Sequence, residues 1–371
     1  MMNAPLPPAR PPQHGGTGEP DGPACRTAQR QGDKATRERI MRTRTLGSTG
    51  PKVSALGLGA MSMSGAYGEA DRTESIATVH AALDAGVTLI DTGDFYGMGH
   101  NELLLAEALR GRDRDSYVLS VKFGMLAGPG ATPGGVDGRP AAVKNFLAHS
   151  LTRLGTDHID IYRPARRDPD VPIEETVGAI KELIDAGHVR HLGLSEVDAA
   201  TVRRAHAVHP VADLQIEYSM ISRAVEAEIL PTLSELGIGL TAYGVLGRGL
   251  ISGHWSPDRA GLPGDHRALS PRFAAGNVEH NLALVEALRR VAEAKGCTVA
   301  QLVIAWVAAQ GETIVPLVGA RTRERLAEAL PALDVTLTED DLAEIEKAVP
   351  QGSARGDRYP AAFMSGLGVG N

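Results

Sequence analysis

Eight short β-rich runs recur along the chain, at residues 53–59, 87–92, 117–123, 158–162, 189–195, 214–218, 238–243 and 313–319. Most are separated by segments with apolar residues at helical spacing, as at 73–85, 141–154, 173–186, 225–236 and 282–294. Near-continuous apolar strands joined by helical crossovers demand a parallel sheet covered by helices, and eight such units are the number that closes on itself. The pattern predicts an α/β fold, a single-domain (β/α)8 TIM barrel. The competing arrangement, a doubly wound open sheet, normally carries GxGxxG after its first strand. Here Gly57 and Gly59 are followed by Ala60, Met61 and Ser62, and the third glycine is missing.

The barrel pattern does not begin at once. Residues 1–40 are rich in Pro, Gly and charge and hold almost no large apolar side chain, which predicts an extension or leader without a core of its own. Residues 41–350 are expected to form the barrel. Residues 351–371 return to Gly, Ala and Pro and read as a C-terminal tail that folds over something.

Chemistry in such barrels sits at the C-terminal strand ends, so the polar residues there come first. They are Asp91 with Tyr96 beyond it, Lys122, the pair Arg163 and Arg166, Ser195 with Glu196, Gln215, Tyr243, and Gly319 with Arg321. A lysine beside an aspartate, next to Tyr96, is expected to favour the tyrosinate and lower the phenol's pKa. That would bring a proton donor toward working pH, as general acid catalysis of carbonyl reduction needs. Ser195 and Gln215 suit hydrogen bonds to a planar carboxamide, with the ring of Tyr243 against its face. From the residues alone, a structural Asp–Lys pair and an ordinary loop aromatic explain the same positions equally well.

Longer stretches sharpen the choice. LGLGAMSMSGAYG, GVTLIDTGDFYGMGHNELLLAEAL, VLSVKFG, DPDVPIEETVGAIKELIDAGHVRHLGLSE, LQIEYSMISR and GIGLTAYGVLGRGLISG resemble, in order and spacing, the motifs of the aldo-keto reductases. The resemblance runs from Arg44 to about Val349. It implies a barrel that binds NADP(H) without a Rossmann domain and transfers hydride to a small-molecule aldehyde or ketone while a tyrosine donates the proton. Asp91, Tyr96 and Lys122 match three members of the family's catalytic tetrad. The fourth, a histidine in a stretch similar to YxQHRVDP, is replaced by Ala165. Arg163 or Arg166 is expected to supply part of the lost polarisation, and Met61, Phe95 and Phe123 to line an apolar substrate pocket with them.

For the cofactor, the resemblance puts Ser195, Gln215 and Tyr243 around the nicotinamide. It places the amides of Leu246, Gly247 and Gly249 along the pyrophosphate, and Gly319, Arg321, Arg325 and Glu328 at the adenosine end. Two arginines there favour NADPH over NADH. Glu196 and Ala329 stand where relatives commonly have asparagine.

Three alternatives in function remain at this point: a weakly active NADPH-binding regulatory protein, an alcohol or sugar dehydrogenase running backwards, and the reductase itself. Composition narrows the partners. A net charge of −7 lacks the basic excess of a nucleic-acid groove. No apolar run approaches the ~20 residues that cross a bilayer. Two distant cysteines, Cys25 and Cys297, suit a reducing cytoplasm. The His188/His191 and His206/His209 pairs lack a third ligand, so no metal is expected. Oligomeric state is not legible.

Overall fold

The computed structural model describes residues 41–256, 265–364 and 366–368, all within the unit Ile40–Asn371. The extension expected at 1–40 lies outside the described residues. Eight parallel strands close into a barrel: β1 (Gly57–Gly59), β2 (Leu89–Gly93), β3 (Val118–Phe123), β4 (Ile159–Pro164), β5 (Val189–Ser195), β6 (Val211–Glu217), β7 (Gly239–Tyr243) and β8 (Ile314–Gly319). Each pairs with the next in sequence, and β8 returns to β1 through Leu317 opposite Gly57. The expected (β/α)8 barrel is the observed one.

The first predicted run, 53–59, splits in two. Only Gly57–Gly59 enters the barrel, while Lys52–Ser54 pairs antiparallel with Thr43–Thr45 around a turn. That hairpin delivers Leu46 and Val53 into a buried cluster with Leu89, Ile161 and Val315. It therefore caps the barrel at its N-terminal end with apolar side chains and leaves the other end for chemistry.

Helices α1 (Arg72–Asp84), α2 (His100–Ala108), α3 (Pro140–Leu154), α4 (Ile173–Asp185), α5 (Ala199–Val208) and α6 (Ile229–Leu236) follow the first strands. Their starts are chemically marked: Asp71 accepts from the amide of Glu74, and Asp198 from that of Thr201. Their stops are marked too, since α3 ends on Gly155 at φ 65 and α6 on Gly237 at φ 65, a left-handed conformation costly for other residues. After β7 come α7 (Asn277–Ala294) and α8 (Val299–Ala309), and after β8 come α9 (Arg323–Ala329) and α10 (Glu339–Ala348).

Strand side chains alternate between the helix layer and the barrel interior. On β3, Ser120 and Lys122 point inward while Phe123 stacks on Tyr162 at 4.2 Å between ring centroids, toward the helices. On β4, Ile161 and Arg163 point inward and Tyr162 donates from its hydroxyl to the carbonyl of Val143 in α3. The interior above the apolar cap is polar, and Gly193 makes room for it. A Cβ there would lie 3.0 Å from Asp213 Oδ1 and 3.2 Å from the Arg163 guanidinium carbon.

Candidate active site

Register places the key groups side by side. Gly93 pairs with Lys122, Lys122 with Arg163, and Gln215 with Ser195, so neighbouring strands end at one level. Lys122 Nζ donates to Asp91 Oδ1 and, at 2.9 Å, to Gln215 Oε1. Asp91 Oδ2 accepts from Gln215 Nε2 at 2.8 Å and from Ser120 Oγ at 2.7 Å. Below, Arg163 donates to Ser120 and to Asp213, both at 3.0 Å, and Thr241 donates to Asp213. A continuous chain of hydrogen bonds thus runs from the buried Asp91 carboxylate down the barrel axis, and each buried charge in it has a counter-charge.

Tyr96 sits above this floor, with the Lys122 ammonium 5.1 Å from its ring centroid and Phe95 packed edge-on at 4.8 Å. The three residues expected to form the catalytic cluster are together. The expected fall in the phenol's pKa is not found. Burial first, and then the Asp91 carboxylate, push it well above the usual tyrosine range. The physical reason is that taking the phenol out of water disfavours its anion, and the neighbouring carboxylate adds to that. Burial also pulls Lys122 below the usual ammonium range, against the opposing pull of Asp91.

Two residues expected to line the substrate pocket do not reach it. Phe123 points outward, as the alternation on β3 requires, and Arg163 lies wholly buried in the floor. Met61 and Phe95 stay partly exposed at the rim. Arg166, two residues past the end of β4, faces Tyr243, Tyr359, Glu196 and Tyr96, and its guanidinium carbon lies 6.0 Å from the Tyr359 ring centroid.

The tail supplies what sequence reading missed. Arg358, 1% exposed, donates to Glu196 at 3.2 and 3.0 Å, and the Tyr359 hydroxyl meets that of Tyr243 at 3.0 Å. Tyr243 in turn donates to Glu196. The Arg248 guanidinium lies 4.2 Å from the Tyr359 ring centroid, and Arg272 donates to Glu217 at 3.1 Å. Glu196 adopts φ 52, a left-handed conformation that asparagine tolerates far better, so its ion pair with Arg358 holds a strained backbone. Ser120, Asp213 and Thr241 were also missed, although each stands two residues from a predicted site residue on the same inward face.

Just past β8, Arg321 donates to the carbonyls of Tyr67, Gly68 and Glu69 at 2.9 to 3.3 Å, pinning the loop after β1. Arg325 donates to Glu328, which also meets His254 at 2.7 Å. Beside them opens a cleft of about 180 Å³ lined by Ser252, His254, Arg289, Cys297, Thr298 and Glu328. The amides of Gly247 and Gly249, expected to face a pyrophosphate, are bonded to the carbonyls of Gly244 and Leu246 inside their own turn.

Residues 55–350 match the Aldo/keto reductase family. The chain belongs to that family. It is 40% identical over 315 residues to Probable aldo-keto reductase 1 of Glycine max, covering 85% of this chain and 90% of the relative. Among solved structures it resembles a glycerol dehydrogenase of Gluconobacter oxydans, with TM-score 0.75 and 28% identity over 82% of this chain and 94% of that one. It also resembles an aldo-keto reductase of Bacillus halodurans in its holo form, with TM-score 0.70 and 26% identity over 84% and 97% of the two chains. As a member of this family the protein is an oxidoreductase that works with a nicotinamide cofactor. The donor set fits such a group: Ser195 and Gln215 are paired at adjacent strand ends, and Arg248, Arg267 and Arg321 gather around Tyr359 and Tyr67 in the loops beyond the strand ends.

Proposed function

We propose that the protein is an NADPH-dependent reductase of small aldehydes and ketones in which Tyr96 donates the proton. The observation that carries this reading is the network beneath that tyrosine, in which Lys122, Asp91 and Gln215 satisfy one another and leave the phenol protonated. A bound reduced nicotinamide supplies the hydride. The residues of this chain do the rest. Ser195 and Gln215 hold the carboxamide edge, Tyr243 backs the ring, Arg321 takes the 2′-phosphate, and Arg325 and Glu328 hold the adenosine beside the cleft at Ser252. For Gln215 the carboxamide has to share an amide already bonded to Lys122 and Asp91.

Reduction leaves an alkoxide-like oxygen that needs a proton at the moment it forms. A phenol held above its usual pKa is fully protonated through the neutral range, which is the state a donor must be in. The Lys122 ammonium over the ring stabilises the negative charge that Tyr96 acquires as its proton leaves. Ala165 offers nothing to the carbonyl, so its orientation falls to Tyr96.

The likeness to a glycerol dehydrogenase supports a second reading, in which the same half-reactions run from alcohol to carbonyl. Following NADPH absorbance with a panel of aldehydes, and NADP+ reduction with the matching alcohols, tests both. Steady NADPH oxidation faster than the reverse reaction supports the reductase. Binding of NADPH without turnover in either direction would instead leave a cofactor-bound protein with a regulatory role. The two distant cysteines support a cytoplasmic site of action.

A further inference from the structure

The cations of the barrel mouth and interior are almost all matched. Lys122 has Asp91, Arg163 has Asp213, Arg248 and Arg272 have Glu217, Arg267 has Asp265, and Arg358 has Glu196. Arg166 is the exception. Among the described residues no carboxylate lies within ion-pair distance of it, and its one hydrogen bond goes from Nη1 to the carbonyl of its neighbour Ala165 at 2.6 Å. Around it stand the hydroxyls and rings of Tyr96, Tyr243 and Tyr359, and the one acid that faces it, Glu196, is already held by Arg358 and Tyr243. Its neighbour on the chain side is the buried methyl of Ala165, where an imidazole would otherwise fill the space.

A partly buried guanidinium whose one facing acid is held by another cation keeps donors to spare, and a ligand that brings a carboxylate can take them. We infer that the preferred substrate is a carbonyl compound bearing a carboxylate, which Arg166 anchors while Tyr96 faces the reacting oxygen. The inference rests on the reductase reading above and names its substrate class. One planar fork with donors to spare matches a carboxylate in bidentate fashion. A single cation among tyrosines suits a monoanion better than a phosphate dianion, which is usually met by several cations.

The test compares 3- and 4-formylbenzoate with their methyl esters under NADPH, in the full-length enzyme and in Arg166→Gln and Arg166→Lys variants. The ester is intrinsically the more electrophilic aldehyde, so a preference for the acid has to come from the protein. The expected result is a kcat/KM at least about tenfold higher for the better acid than for its ester, in line with a hydrogen-bonded charge pair. Arg166→Gln should abolish that preference while changing ester reduction by less than about threefold, and Arg166→Lys should restore part of it. Benzoate should inhibit ester reduction competitively in the parent and not in Arg166→Gln, with NADPH affinity and melting temperature unchanged. Ester reduction without preference for the acid overturns the inference and leaves the reductase reading standing. Equal slowing of acid and ester in Arg166→Gln also overturns it, since the guanidinium then acts on the reacting oxygen. If neither acid nor ester is reduced, the reductase reading fails and the inference with it.

Discussion

The ends of β4 and β5 lie side by side, and each carries a residue other than the one the family resemblance leads one to expect there. On β5 the departure is Glu196, whose buried charge is answered by Arg358 from the far end of the chain. On β4 it is Ala165, and the cation beside it, Arg166, is answered by no carboxylate among the described residues. The first substitution is closed within the fold, and the second is left open toward the pocket. A buried acid that gains its own partner serves structure, whereas a cation without one points to a ligand.

Changing Glu196 to Gln should break the first half of this comparison with the largest effect. It strips the bidentate partner from Arg358, and urea denaturation should show a loss of about 3 kcal/mol. Arg166→Gln should leave the same measurement nearly unchanged, because no ion pair among the described residues depends on that guanidinium. Similar losses in both variants would erase the contrast.

Asp94 extends the comparison to a buried acid that has no ion-pair partner among the described residues. Burial first, and then the nearby Glu102, raise it from 3.8 to about 7, although Arg153 pulls the other way from its pairing with Glu102. A carboxyl raised on folding holds its proton better in the native state. Its contribution is therefore complete below pH 3.8 and disappears as pH rises through about 7. The parent's melting temperature should fall across that window more steeply than that of Asp94→Asn, and parallel profiles would remove Asp94 from the account.

The smallest effect is expected at Arg321. Its Nη1 already serves three carbonyls, so a 2′-phosphate adds to an occupied side chain. Arg321→Met should narrow the ratio of NADH to NADPH dissociation constants by only about tenfold. An unchanged ratio would move phosphate recognition elsewhere.

Much of this was legible in the sequence because periodicity is local. Eight apolar runs with helices between them specify a closed parallel barrel, and the level of each strand's last polar residue specifies the rim. The inward set Ser120, Asp213 and Thr241 was equally accessible, since a period of two carries Lys122, Gln215 and Tyr243 back onto it. Phe123 was misplaced for the same reason, because the residue after an inward lysine must face outward. The tail was not legible. Arg358 and Tyr359 reach Glu196 and Tyr243 across more than a hundred positions, and no local pattern encodes such a meeting. The direction of the Tyr96 shift also depended on tertiary contacts, namely how completely the phenol is buried and how near the Asp91 carboxylate lies.

The most direct measurement of the central claim is the single-turnover rate of aldehyde reduction by Tyr96→Phe, taken with its NADPH dissociation constant. The account predicts a rate at least about a hundredfold below the parent's with cofactor affinity unaltered. A phenylalanine variant that reduced aldehydes at the parent's rate would contradict it.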